Sequence, residues 1–406
     1  MKKTKILLIV LICILALSLL LLVAAVLLMG RGPSLQGSAS QPSQDQTGDT
    51  QDNTSEDTVT EDPSKDTTTV IEPDPEPEVF TLTFAGDCTL GNRKGRTGQH
   101  TFIGTVGDNY AYPFADVQQY FATDDCTFIN LEGPLTDSEA SLEKTFVFKG
   151  PKEYVNILSS GSVEFANVVN NHAHDYGEKG YRDTLDVLDF AGIYYAENKN
   201  TVLFTTESGL TIGVYSVLDP YNANGIAEKL ADLRARGAEV VVVSLHWGQE
   251  YYYRPNGTQV SIAHAAIDGG ADIVYGHHPH VLQKIEQYKD GVIFYSLGNF
   301  SFGGNMSPAD KDTAVLQQQI IRQPDGTIEM GELKIIPCYV SGILTYGNDY
   351  QPTPIEETAE AYNRVLTKLE GKFPLEKLEV SYREDLQEPK PEEGSQDSTE
   401  NSQNIS

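Results

Sequence analysis

His278-Pro279-His280 is the segment of this sequence whose chemistry is easiest to state. On an extended backbone residues i and i+2 face the same side, so both imidazoles can converge on one point while Pro279 restricts the chain between them. Neutral imidazole is the commonest nitrogen ligand of divalent transition metals. Other residues able to bind metal are Asp87 in Gly86-Asp87, Glu132 in Glu132-Gly133, Asn171 in Asn170-Asn171-His172, and His246 in His246-Trp247-Gly248. Each has an ordinary reading on its own: Asp87, Asn171 and His172 as turn or capping residues, Glu132 as a solvated loop carboxylate, His246 as a satisfied histidine beside the single Trp247. Together, imidazoles, carboxylates and an amide oxygen suit one or two divalent ions.

What would bring them together is a sheet. Short β-branched runs, Thr81–Ala85, Thr127–Leu131, Phe165–Val169, Val240–Ser244, Asp272–Tyr275 and Val292–Ser296, read as buried strands. Helical patterns fall between them at Phe114–Phe121, Lys152–Leu158, Gly180–Phe190, Ile226–Ala235 and Val260–Ile267. The alternation predicts an α/β fold with helices on the faces of a sheet and one core. In such sheets ligands bind at the carboxyl edge, and five successive predicted strands end in a residue able to bind metal.

The motifs carrying these residues resemble a known series. Thr83-Phe84-Ala85-Gly86-Asp87, Asn130-Leu131-Glu132-Gly133-Pro134-Leu135, Asn170-Asn171-His172-Ala173-His174-Asp175-Tyr176-Gly177, His246-Trp247-Gly248-Gln249-Glu250-Tyr251, Gly276-His277-His278-Pro279-His280 and Tyr295-Ser296-Leu297-Gly298-Asn299-Phe300 are similar, in order, to those of the CapA bacterial capsule-synthesis family. That resemblance covers about Phe80 to Leu369. It implies a calcineurin-like metallophosphoesterase fold of layered sheets flanked by helices, and a link to poly-γ-glutamate capsule production. On that pattern Asp87, Glu132 and His280 hold one ion, and Glu132, Asn171, His246 and His278 the other, the metal being Mn, Zn, Fe or Mg. His172 is the implied proton donor or charge stabiliser, oriented by Asp175. Where the wider superfamily begins with Asp-x-His, this chain reads Asp87-Cys88-Thr89, so one ligand is missing. Cys88 is expected to be a small buried residue, His277 to support the ligands, and His174, His264 and His100 to lie elsewhere.

Composition sets the location. Ile6–Met29 is an apolar run of 24 residues broken only by Ser18, long enough to span a hydrocarbon layer of about 30 Å and longer than the apolar part of a cleaved signal peptide. Lys2, Lys3 and Lys5 before the run place residues 1–5 in the cytoplasm and everything after the helix outside. Residues 30–79 and 384–406 are polar and acidic, expected to be a disordered linker and tail, and leave one domain at 80–383. Linker and tail carry −16 of the net charge of −29, and the acidic balance argues against nucleic acid as a partner. Cys88, Cys126 and Cys338 are too few for a disulfide framework. These readings describe a cell-membrane protein with an extracellular domain, a metal-dependent hydrolase cleaving a phosphoester or an amide. The partners expected are the membrane, a capsule synthase complex and an anionic polymer. The alternatives are a non-catalytic, metal-containing subunit that guides the polymer, and an extracellular phosphoesterase unrelated to polyglutamate.

Overall fold

The computed structural model describes residues 75–379, which belong to one compact unit. The apolar segment 6–29, most of the linker and the 384–406 tail lie outside them. Among the described residues no helix is long and apolar enough to cross a membrane.

The strands, in chain order, are β1 (Glu78–Thr89), β2 (Asn92–Arg93), β3 (Cys126–Leu131), β4 (Phe148–Lys149), β5 (Phe165–Asn167), β6 (Thr201–Thr205), β7 (Thr211–Leu218) and β8 (Val240–His246). They continue with β9 (Ile273–His277), β10 (Ile285–Tyr288), β11 (Gly291–Phe294), β12 (Asn299–Phe302), β13 (Asp312–Arg322), β14 (Ile328–Tyr339) and β15 (Thr353–Pro354). One sheet runs β15-β14-β13-β1-β3-β5 with β12 paired to β1, and a second runs β10-β11-β9-β8-β7-β6. Their centres are parallel, β1 with β3 and β12, and β8 with β7 and β9; antiparallel strands close both edges of the second sheet and the β13–β15 side of the first, whose other edge strand, β5, runs parallel to β3.

Both faces of each sheet are covered, which is why β3 and β8 are buried along their whole length and read as continuous apolar runs rather than alternating ones. Three buried clusters result where one core was expected. Leu82, Phe84 and Phe128 of the first sheet meet Val214, Val242, Tyr275 and Phe294 of the second. Outside the first sheet, Ile129 and Leu131 pack with Leu185 and Leu188 of the Gly177–Ala191 helix. Outside the second, Val241 and Val243 pack with Leu230, Leu233 and Ile262 of the helices Ile226–Ala235 and Gly257–Asp268. The mixed α/β layering is therefore helix, sheet, sheet, helix. The helix expected over Phe114–Phe121 is instead a 3₁₀ turn at Tyr112–Phe114 and a short helix at Gln118–Phe121. Val117 between them takes φ −109° while its side chain is fully buried.

Two carboxylates grip the start of β3: Thr127 donates its backbone N–H to Glu164 at 2.8 Å and its hydroxyl to Asp124 at 2.7 Å. Burial pushes both acids up to about 7. The unfolded chain therefore ionises them before the folded one does. Their stabilising contribution is full below the ordinary carboxylate range near pH 4 and is lost as pH rises to about 7. Asp124→Asn combined with Glu164→Gln should raise the melting temperature at pH 8 by roughly 2–4 °C and leave it nearly unchanged at pH 4. An equal shift at both pH values in calorimetric scans would refute the assignment.

Candidate metal centre

The first sheet sets Asp87 by register. On β1 it pairs with Asn130 of β3 on one side and with Asn299 of β12 on the other. Gly86 before it permits the close approach of the 297–298 backbone, because a Cβ there would lie 2.1 Å from the Gly298 carbonyl oxygen. The Asp87 N–H donates to that same carbonyl at 2.8 Å. Asn130, fully buried, is a hub. It donates to Asp87 Oδ1 at 2.8 Å, and its own oxygen accepts from Asn167 at 2.8 Å and Asn170 at 3.3 Å. Asn130→Leu leaves these buried groups without partners and should cost about 2–5 kcal/mol of stability, measurable by denaturant unfolding. A loss under 1 kcal/mol would show that the amide cluster is not structural.

Asp87, Glu132 and His280 converge within 4.8 Å, all buried. His280 Nδ1 lies 3.2 Å from Asp87 Oδ2 and its Nε2 lies 3.6 Å from Glu132 Oε1. Neither carboxylate oxygen has a well-formed hydrogen bond; His280 Nδ1 is aligned instead on Asn299 Oδ1 at 2.9 Å. Burial pushes Glu132 up to about 8. It opposes ionisation of Asp87 too, but the neighbouring imidazoles of His277 and His280 hold that carboxyl well below the usual range. Burial alone would lower His280, yet Glu132 and Asp87 outweigh it and raise the imidazole to about 10. A protonated His280 thus balances the ionised Asp87 beside a Glu132 kept protonated near neutral pH, and it stands where a divalent cation would favour ionisation of both acids. The donor set and its open oxygens fit such an ion.

His280 also belongs to a second group, with His278 and Glu250, within the same 4.8 Å. The two histidines do not converge as an extended strand would bring them. β9 ends at His277, and His278 and His280 take φ 98° and 56°. Two non-glycine residues in the left-handed region cost on the order of 1–3 kcal/mol each. Tyr251, at φ 69°, donates its N–H to the Pro279 carbonyl at 2.7 Å and braces the turn. Burial lowers His278 to about 4 and holds His246 well below the ordinary imidazole value. His246 Nε2 is 2.9 Å from Asn171 Oδ1 and its ring is 4.8 Å from that of His278. His246 and Asn171 therefore sit beside the second group and complete neither.

His172 flanks the first group, its Nε2 3.9 Å from Glu132 Oε1. Its Nδ1 meets Asp175 Oδ2 at 2.8 Å. A carboxylate only accepts, so this nitrogen carries the proton and Nε2 is left as acceptor. Burial lowers the imidazole's pKa. Asp175 is itself held by the Phe148 N–H at 2.7 Å and by Lys144 at 2.5 Å.

Cys88 points away from the ligands into the outer cluster of the first sheet, and burial pushes its thiol above the usual range. His277 Nδ1 lies 3.5 Å from Asp87 Oδ1. His174 stacks on Tyr181 and His264 on Tyr288, both away from the ligands. Sequence reasoning missed Asn130, Asn299 and Glu250 as site residues, although all three stand inside the motifs quoted for it. Glu250 follows His246 by four residues, a spacing that gives no sign of which way a loop turns.

Residues 81–304 match the family described as bacterial capsule synthesis protein PGA_cap. The capsule biosynthesis protein CapA of Bacillus anthracis is 30% identical over 324 residues, covering 72% of this chain and 74% of that protein. The PGA biosynthesis protein CapA of Bacillus subtilis is 31% identical over 282 residues, covering 64% of this chain and 72% of that one. A solved structure of a putative 5'-nucleotidase from Staphylococcus aureus aligns with TM-score 0.40 at 14% identity, over 63% of this chain and 54% of that one, little more than half its length.

Proposed function

Because this chain belongs to the bacterial capsule synthesis protein family, we propose that it is a divalent-metal-dependent hydrolase acting in poly-γ-glutamate capsule biosynthesis. On this reading it is anchored by residues 6–29 with its domain outside the cytoplasm, and the fold is that of the calcineurin-like metallophosphoesterases. The apolar run and the lysines before it support the anchor. The observation that carries the hydrolase is the buried Asp87–Glu132–His280 group, with two carboxylate oxygens open, beside the His172–Asp175 pair.

Asp87, Glu132 and His280 would hold one divalent ion, and His278 and Glu250, with His280 or the adjoining His246 and Asn171, a second. When bound, such an ion supplies Lewis-acid polarisation of the scissile group and a stronger water nucleophile at neutral pH. The chain's own residues do the rest. Asp175 fixes the His172 ring, whose Nε2 faces the ligands and would take a proton from the attacking water, then give it to the leaving group. Phe146, Phe148 and Phe302 line the cleft and limit water.

Poly-γ-glutamate carries the amide reading, and aryl phosphodiesters test the phosphoester one. The full-length protein with Mn²⁺ is expected to shorten poly-γ-glutamate, read as new chain ends. Metal binding without turnover of either substrate would instead support a non-catalytic subunit that grips the polymer. Thr89, buried where the superfamily pattern has a histidine ligand, favours that second reading.

A further inference from the structure

Three residues around the Glu250–His278–His280 group hold the left-handed backbone region without being glycine: Tyr251 at φ 69°, His278 at 98° and His280 at 56°. Such conformations persist only where surrounding contacts over-determine them, and they gather at functional sites. The bonds that hold Tyr251 therefore belong to the construction of this ligand group. Its N–H donates to the Pro279 carbonyl at 2.7 Å, and its carbonyl accepts the Leu378 N–H at 2.8 Å.

Leu378 belongs to a segment beyond the 81–304 family match. Tyr252 and Lys377 pair as an antiparallel bridge, and the Tyr253 N–H donates to the Glu376 carbonyl at 2.9 Å, so residues 376–378 lie along 251–253 as a short added strand. The other side of that loop is fixed to the core. Gln283 Nε2 donates to the Tyr252 carbonyl at 2.8 Å, and the Gln283 side-chain oxygen accepts from Gln259 at 3.0 Å. The root of the segment is fixed as well: the Phe373 ring lies 4.8 Å from that of Tyr253, and the Lys368 ammonium stands 4.9 and 5.0 Å from the two. Lys368, 2% exposed, pairs with Asp310 and Asp312 at 2.7 Å each, and Asp310 accepts the Tyr253 hydroxyl at 2.9 Å.

Tyr251 is thus gripped on one side by the turn that carries both histidines and on the other by the C-terminal segment. Glu250 directly precedes it, so a Tyr251 relaxed to an ordinary negative φ would turn the Glu250 carboxylate away from the imidazoles. We propose that residues 373–378 are a clamp that sets Glu250 against His278 and His280, so that the second cation site is complete only with the clamp in place. The first site keeps Asp87 and Glu132 without it, because the register of the first sheet sets Asp87, and Glu132 directly follows β3. The clamp rests on the two-ion reading above and adds the element on which one of the ions depends.

The test is a calorimetric titration of the full-length protein with Mn²⁺. Wild type should show two classes of site, and Glu250→Gln identifies the class that Glu250 serves. Leu378→Pro, which removes the N–H donor, should weaken that class by about 10–100-fold and leave the other unchanged, while Leu378→Ala, which keeps the donor, should bind as wild type does. Adding Leu378→Pro to Glu250→Gln should cause no further loss, since a clamp acting through Glu250 then has no ligand to hold. Phe373→Ala, which strips the anchor on Tyr253, should weaken the same class and serves if the proline variant does not fold. Wild-type binding by Leu378→Pro and Phe373→Ala, equal losses in both classes, or losses that add to those of Glu250→Gln overturn the clamp and leave the metal reading intact. A single Mn²⁺ class in wild type that Glu250→Gln does not alter overturns the second site and the clamp with it.

Discussion

Glu132→Gln should reduce divalent-metal affinity by at least about 100-fold while leaving the melting temperature in chelator unchanged or raised. Glu132 is fully buried, and its Oε1 has no hydrogen-bond partner. A carboxylate kept there without satisfaction is a burden on the metal-free fold, and glutamine fills the same volume without a charge to bury. If the group exists to hold a cation, stability in chelator and metal affinity respond in opposite directions. Wild type at a hundredfold excess of Mn²⁺ over Kd gains about 2.7 kcal/mol by mass action, and the variant gains at most about 0.4 kcal/mol at the same concentration. Melting curves with and without Mn²⁺, together with metal analysis, decide the matter. A variant destabilised in chelator, with metal content intact, would make Glu132 a structural residue.

His172→Ala should lower kcat on the cleaved polymer by about 10²–10⁴-fold with metal content unchanged. The ring touches neither group of ligands closely, its Nε2 standing 3.9 Å from Glu132, so removing it spares the cation. Asp175→Asn should fall in the same direction by about 10–100-fold, because an amide can present a donor to Nδ1 and turn the ring to the other tautomer. Asp175 also accepts the Phe148 N–H at 2.7 Å, so this variant is expected to lose some stability that His172→Ala keeps. Rates corrected for bound metal, measured beside melting temperatures, separate the two effects. Full activity in His172→Ala would exclude proton transfer by this ring.

The alternation of apolar runs with helical patterns settled the α/β class, and the helix Ile226–Ala235 was legible to the residue. Strands β13 and β14 were not. β14 alternates exposed and half-buried positions along much of its length, which weakens the apolar signal.

For the site, the sequence by itself offered the residue types able to bind metal and placed them at or near strand ends, since a strand's carboxyl edge is a local property of the chain. Asp87, Glu132, His246 and His278 could be read that way. Only the tertiary structure decided which of them meet. Asp87 stands between Asn130 and Asn299 because β3 and β12 pair with β1 in one register, and register is fixed by packing on both faces of a sheet rather than by any one strand. The His278-Pro279-His280 turn depends on two left-handed residues braced by Tyr251, a conformation disfavoured locally and held by contacts 28 residues apart in sequence. Glu250 likewise meets His278 and His280 only once loops distant in sequence close together, because the free energy that shapes the group resides in long-range contacts.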